Sequence, residues 1–157
     1  AYLKSRGITM EAARLARLGV VEEPEVGHET FIGRLSIPYV TKTGVVDIRF
    51  RALNPAVEPK YMGMVGSDTK LYNVLDIERA GNHIGICEGE IDTLTMSTMV
   101  GIACVGVPGA NSWKKHYTRL LADFEREKRR SCESSIAVRG TDSSSSLQTC
   151  ISNTTHA

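Results

Sequence analysis

Apolar residues along this 157-residue chain recur with two periods, and each change of period marks a new element. Ala12, Leu15, Ala16 and Leu18 give residues 10–18 an apolar side at helical spacing, with Thr9 placed to cap the start and Gly19 to end the helix. From residue 31 the period falls to two. Phe31 to Val40 reads as a strand, placed at an edge or bulged because Pro38 cannot donate a ladder hydrogen bond. Thr41-Lys42-Thr43-Gly44 reads as a turn, which makes a hairpin with the next strand. In that strand Val46, Ile48 and Phe50 point one way, and Asp47, Arg49 and Arg51 the other.

The second half has a different rhythm. Val74, Leu75, Ile77 and Ala80 form a short helical pattern stopped by Gly81. Residues 83–88 are a strand, and Ile91 to Val100 a helix with Ile91, Leu94 and Met99 toward a sheet. Ile102 to Val107 is apolar throughout and too short for a helix, so it reads as a buried strand. Pro108 to Ser112 is a turn. Trp113 to Glu127 is an amphipathic helix carrying Trp113, Tyr117, Leu120, Leu121 and Phe124. Strand, helix, strand, helix at this spacing predicts a parallel βαβ unit with a right-handed crossover. The expected class is α/β: a small hairpin-containing α+β lobe over residues 1–80, then a parallel βαβ domain over residues 81–127.

Three stretches interrupt the pattern. Residues 21–30 are acidic, with Glu22, Glu23, Glu25 and Glu29, and read as a solvated linker. Residues 52–70 are loop-like, with Asn54-Pro55 and Glu58-Pro59. After Lys128-Arg129-Arg130, residues 131–157 hold eight serines and no aromatic residue. Such a segment cannot bury enough surface to offset its ordering entropy, so 128–157 is expected to be a disordered tail.

Composition narrows the function classes. A net charge of +1 excludes a polycation, so any nucleic-acid surface must be a local patch. Cys87, Cys104, Cys132 and Cys150 form no Cys-x-x-Cys pair, which argues against zinc in this chain. Cys87 and Cys104 lie in apolar strands and read as small buried side chains in a reducing compartment. No apolar run reaches the ~20 residues of a membrane span, and no secretory signal opens the chain, so the cytosol of a bacterium or phage-infected host is expected.

The candidate chemistry centres on Ile84-Gly85-Ile86-Cys87-Glu88-Gly89-Glu90-Ile91-Asp92. A strand ends in Glu88, Gly89 lets the backbone bend and a ligand approach, and Asp92 follows in the first helical turn. Open α/β sheets bind ligands at this carboxyl edge. Magnesium takes one or two carboxylates plus substrate phosphates, which Glu88 and Asp92 suit. Equally, Glu90 and Asp92 are placed to face the positive end of the helix dipole. Arg49 and Arg51 on one strand face, with Arg34 on the partner strand, form a candidate cationic surface or an ordinary solvated one.

Ile-Cys-Glu-Gly-Glu-Ile-Asp-Thr-Leu resembles the first signature of the TOPRIM domain, shared by bacterial-type primases, type IA and II topoisomerases and some nucleases. Glu88, Gly89 and Asp92 are its fixed residues. Tyr2-Leu3-x-x-Arg6-Gly7-Ile8 resembles the opening of the primase catalytic core, which in that family follows a zinc-binding domain. Pro59-Lys60-Tyr61, then Leu71-Tyr72-Asn73-Val74, resembles a second primase signature. Val107-Pro108-Gly109-Ala110-Asn111 resembles a turn that these primases place near the metal, and Gly109 shapes it.

The resemblance implies a DNA primase of bacterial or phage type, a DNA-directed RNA polymerase that makes RNA primers in DNA replication. It implies Glu88 as a catalytic and metal-holding residue, with Asp92 beside it and Mg²⁺ or Mn²⁺ as cofactor. Lys60 would contact template or nucleotide phosphates, with Arg34, Arg49 and Arg51 behind it and Lys70 in weaker register. Single-stranded DNA and nucleoside triphosphates would be partners, and a replicative helicase a further one within a primosome. The resemblance ends near residue 125. The family's Asp-x-Asp occurs nowhere in the chain, and Asp142 is a poor substitute. The change of character fits a premature end, such as a frameshifted reading frame, and predicts an incomplete version that is weak or inactive. Another TOPRIM enzyme, such as a nuclease or topoisomerase fragment, and a non-catalytic nucleic-acid-binding remnant are the alternatives.

Overall fold

The computed structural model of the chain describes residues 2–122, in two compact units that part between Lys70 and Leu71. The predicted tail, the end of the last predicted helix with Phe124, and Asp142 lie outside the described residues.

The first unit holds two short helices and a sheet. Helix α1 is Tyr2–Ser5 and α2 is Met10–Leu15. Thr9 caps α2, its Oγ1 accepting the Ala12 N–H at 3.1 Å. The helix stops short of the expected Leu18. Arg17 turns left-handed at φ 55°, and Leu18 N–H closes onto Ala13 O at 2.8 Å. Gly19 therefore opens a strand instead of ending the helix.

The sheet is antiparallel in the order β1 (Gly19–Val20), β2 (Arg34–Thr41), β3 (Gly44–Ala52), β4 (Tyr61–Gly63). The hairpin turns where expected, with Thr41 opposite Gly44. Strand β2 lies inside the sheet, but β1 pairs only with Leu35 and Ser36, so Pro38 lies past its end. The register shifts between Tyr39 and Val40, the irregularity that proline foreshadowed. Strand β4 falls in a stretch whose pattern predicts loop. Phe31 stacks on Phe50, ring centroids 3.9 Å apart, and Leu35, Ile37 and Tyr39 are buried.

The second unit begins at Leu71 rather than near residue 81, because residues 71–80 belong to its core. Leu71 packs with Val105, Val107, Tyr117 and Leu121, with Val74, Ile77, Ile84 and Ile86 against them. Tyr72 forms an antiparallel bridge to Gly106. Helix α3 is Asp76–Arg79, and the parallel pair is β5 (Gly85–Glu88) and β6 (Cys104–Val107). Helix α4 (Glu90–Thr95) connects them and passes into a π-helical turn over Met96–Val100. That turn shifts the helical phase. Ile91 and Leu94 are buried as the pattern predicts, but Met99 is 54% exposed and Ser97 is buried instead. Helix α5 is Lys115–Leu120. Trp113 precedes it, extended, with its ring edge-on to Tyr117 at 5.7 Å.

Two glycines allow β5, β6 and α4 to approach closely. A Cβ at Gly106 would lie 2.4 Å from Thr93 Oγ1 and 3.1 Å from Gly89 O, and one at Gly85 would lie 2.8 Å from Cys104 Sγ. Cys87 and Cys104 are both buried as free thiols. The hydrogen bond from Cys104 holds the Cys87 thiol below its ordinary pKa.

Candidate functional site

In the first unit the cations separate by register. Arg51 stands opposite Leu35 and Arg49 opposite Ile37, whereas Arg34 stands opposite Ala52. Opposed residues in an antiparallel pair share a face, so Arg34 is on the other side of the sheet from Arg49 and Arg51. It is only 5% exposed, and its Nη1 donates to Pro59 O at 2.8 Å. Arg34 thus fastens the loop that carries Lys60 and does not extend the cationic face.

Arg49 and Arg51 converge on an aromatic residue. Tyr61 on β4 is the register partner of Arg51, and the ring has Arg51 at 4.9 Å, Arg49 at 5.7 Å and Lys60 Nζ at 6.0 Å. Arg51 Nη1 also donates to Tyr61 Oη. Ring faces attract cations, so one tyrosine gathers three positive groups at one place. Lys60 itself is exposed, and its backbone fixes the loop: Lys60 N–H donates to Glu58 Oε2 and Lys60 O accepts Ala52 N–H. Lys70 is occupied differently. Its Nζ lies 3.5 Å from Asp47 Oδ2 and donates to Ser67 Oγ and Asp68 O.

In the second unit Glu88 ends β5 opposite Val107, at the carboxyl edge of the parallel pair, and is exposed. Gly89 follows at φ 91° and begins α4; Gly109, at φ 105°, shapes the turn after β6. A side chain at either would be strained. Both glycine N–H groups donate to one acceptor, Val107 O, each at 2.8 Å. Asp92 is half-buried in the first turn of α4, and Glu90 is 2% exposed. Among the described residues no three His, Cys, Asp or Glu side chains lie close enough to hold a metal ion by themselves.

The unit's least obvious polar residue is Asp76. Buried at 3% exposure, it accepts from Arg79 (2.7 Å), Ser97 Oγ (2.5 Å) and Cys104 N–H (3.1 Å), and so ties α3, the π turn and β6 together. Tyr72 is buried beside it, and that burial, with the negative charges of Glu90 and Asp76, pushes its phenol pKa well up. Asp76 sat inside an apolar helical pattern and carried no mark in the sequence. Tyr61 was legible only as part of Pro-Lys-Tyr.

No family model matches the chain. It is 40% identical over 97 residues to the gene 57 protein of Mycobacterium phage D29, covering 59% of this chain and 62% of that protein. A DNA primase domain from Pseudomonas aeruginosa superposes with a TM-score of 0.61 at 22% identity, over 77% of this chain and 50% of that one. The DnaG primase catalytic domain bound to single-stranded DNA gives 0.58 at 19% identity, over 77% and 49%. The chain spans about half the length of these solved structures. No helix among the described residues is long and apolar enough to cross a membrane. Over the matched 77% of the chain, the fold is that of about half of a DnaG primase catalytic core.

Proposed function

We propose that this chain is a primase-type, TOPRIM-containing nucleotidyltransferase core of phage origin that acts on single-stranded DNA in replication. The observation that carries the reading is the gathering of Lys60, Arg49 and Arg51 around Tyr61. Three like charges at one ring suit a ligand that brings several negative charges, and a nucleic-acid backbone or a triphosphate does so. Lysine supplies a point charge and arginine a two-pronged donor for phosphate oxygens.

The reaction is attack of a 3′ hydroxyl on an α-phosphate with loss of pyrophosphate. Arg49, Arg51 and Lys60 bind phosphate and offset its charge. Glu88, exposed at the carboxyl edge of β5, and Asp92 in the following turn offer hard oxygen donors, which fit Mg²⁺ or Mn²⁺. When bound, the divalent ion stabilises charge on the phosphates. Gly89 keeps the turn beside Glu88 open to a ligand.

A second reading, nucleic-acid binding without synthesis, is favoured by the burial of Asp76 and Glu90, which among the described residues leaves Glu88 and Asp92 as the carboxylates near the strand end that are not buried. Two ions about 3.5–4 Å apart need carboxylates on both sides. On this second reading, primer synthesis by this chain alone is weak or absent.

Both readings are tested on the whole chain. Single-stranded DNA should bind without sequence preference and more weakly as salt rises. Lys60→Ala should flatten the salt slope by about one unit. Template-directed ribonucleotide incorporation with Mg²⁺ and with Mn²⁺ separates the readings. Synthesis abolished by Glu88→Gln establishes the first, binding without synthesis the second, and no binding in dilute buffer defeats both.

A further inference from the structure

Arg49 and Arg51 lie on the same sheet face, and Arg51 meets two tyrosine rings. The Arg51 guanidinium carbon lies 4.6 Å from the Tyr2 ring centroid and 4.9 Å from that of Tyr61, and Nη1 donates to Tyr61 Oη. Arg49 lies 5.7 Å from the Tyr61 ring. Arg51 Nε is buried and makes no hydrogen bond among the described residues. An arginine has several rotatable bonds, and ordering them costs free energy unless the surroundings have already done so. Two ring faces attract the one cation, and the hydroxyl of one accepts from its fork. The Nη2 hydrogens are not used in that bond and remain as donors for a second acceptor.

We propose that Tyr2 is a positioning residue, which with Tyr61 brackets Arg51 and holds its guanidinium ready for a phosphate oxygen. The inference rests on reading Arg51 as a phosphate contact. It gives the first helix, α1, a part in ligand binding, because Tyr2 opens that helix. A purely packing role for Tyr2 would need any apolar side chain of similar size. A positioning role needs an aromatic face.

The experiment measures anisotropy of a labelled oligothymidylate with the full chain over a range of KCl concentrations. Arg51→Gln should weaken binding about 3–10-fold and lower the salt slope by about one unit. Tyr2→Leu should reproduce most of that loss and of the slope change, Tyr2→Phe should stay within about twofold of the wild type, and Tyr2→Leu should add nothing to Arg51→Gln. Additive losses, equal damage from leucine and phenylalanine, or an unaffected Tyr2→Leu overturn the proposal. An unaffected Arg51→Gln instead overturns the phosphate reading of Arg51 on which it rests. A nuclear magnetic resonance measurement stands apart from binding. The Arg51 Nε–H signal should carry ring-current displacement that persists in Tyr2→Phe and falls to the Tyr61 contribution alone in Tyr2→Leu. A signal at the same position in both variants overturns the bracket whatever the affinities are.

Discussion

The two units use charge and backbone in opposite ways. In the first, cations lie over ring faces on one side of an antiparallel sheet, and added methyl groups at Gly33, Gly44 and Gly63 would meet nothing within 4 Å. In the second, Asp76 and Glu90 are buried, and Gly85 and Gly106 lie against side chains with no room for a Cβ. One unit gathers Lys60, Arg49 and Arg51 around a tyrosine ring while burying Arg34. The other uses carboxylates and glycine contacts to build a tight frame and leaves Glu88 exposed at its edge. A substitution among the ring-bound cations of the first unit should therefore alter binding, and one at a buried carboxylate of the second should alter stability.

The largest test of that contrast is Asp76→Ala. It leaves Ser97, Arg79 and the Cys104 N–H without their acceptor, and should lower stability by about 3 kcal/mol in a denaturant titration. DNA affinity, measured where the variant is folded, should not change. Next is Gly106→Ala, where overpacking against Thr93 and Gly89 O should cost about 2–3 kcal/mol. Gly63→Ala in the first unit should stay within about 0.5 kcal/mol, and similar losses at both positions would break the comparison.

Arg34→Met should cost about 1–2 kcal/mol through the lost bond to Pro59 O, yet leave the salt slope of DNA binding unchanged. A slope lowered as much as by Arg51→Gln would return Arg34 to the cationic face. The smallest effect belongs to Glu29, fully exposed, whose carboxyl is held below its ordinary pKa chiefly by the Gly27 N–H. A lowered folded pKa gives stability that is present above the unfolded carboxyl's range and lost as pH falls through the folded value. Thermal midpoints of wild type and Glu29→Gln should converge on acidification.

Period and length made the βαβ unit legible, because a buried strand and its crossover helix each leave a long apolar trace. The same signal failed at three kinds of place. Arg17 ended α2 by adopting a left-handed conformation that pattern does not encode. The π turn rotated Met99 outward without changing the spacing of apolar residues. Strand β4 is too short to show alternation. Glu88 and the Arg49–Arg51 face could be found because strand ends and alternation fix where such side chains go. Arg34 could not, since its face depends on a register with β3 that only the paired strands define. Asp76 was hidden because its partners come from two later segments of the chain.

The shared acceptor at Val107 has a consequence for motion. Gly89 N–H and Gly109 N–H both end on that carbonyl, so the turn after Glu88 and the turn after β6 hang from one atom. Neither turn can lift away without changing the electrostatics of the other's hydrogen bond. If the acidic turn opens to admit a ligand, the glycine amides at 89 and 109 should exchange with deuterium as a correlated pair, and a ligand that quiets one should quiet both. The carboxyl edge of this small sheet would then behave as one latch with two arms.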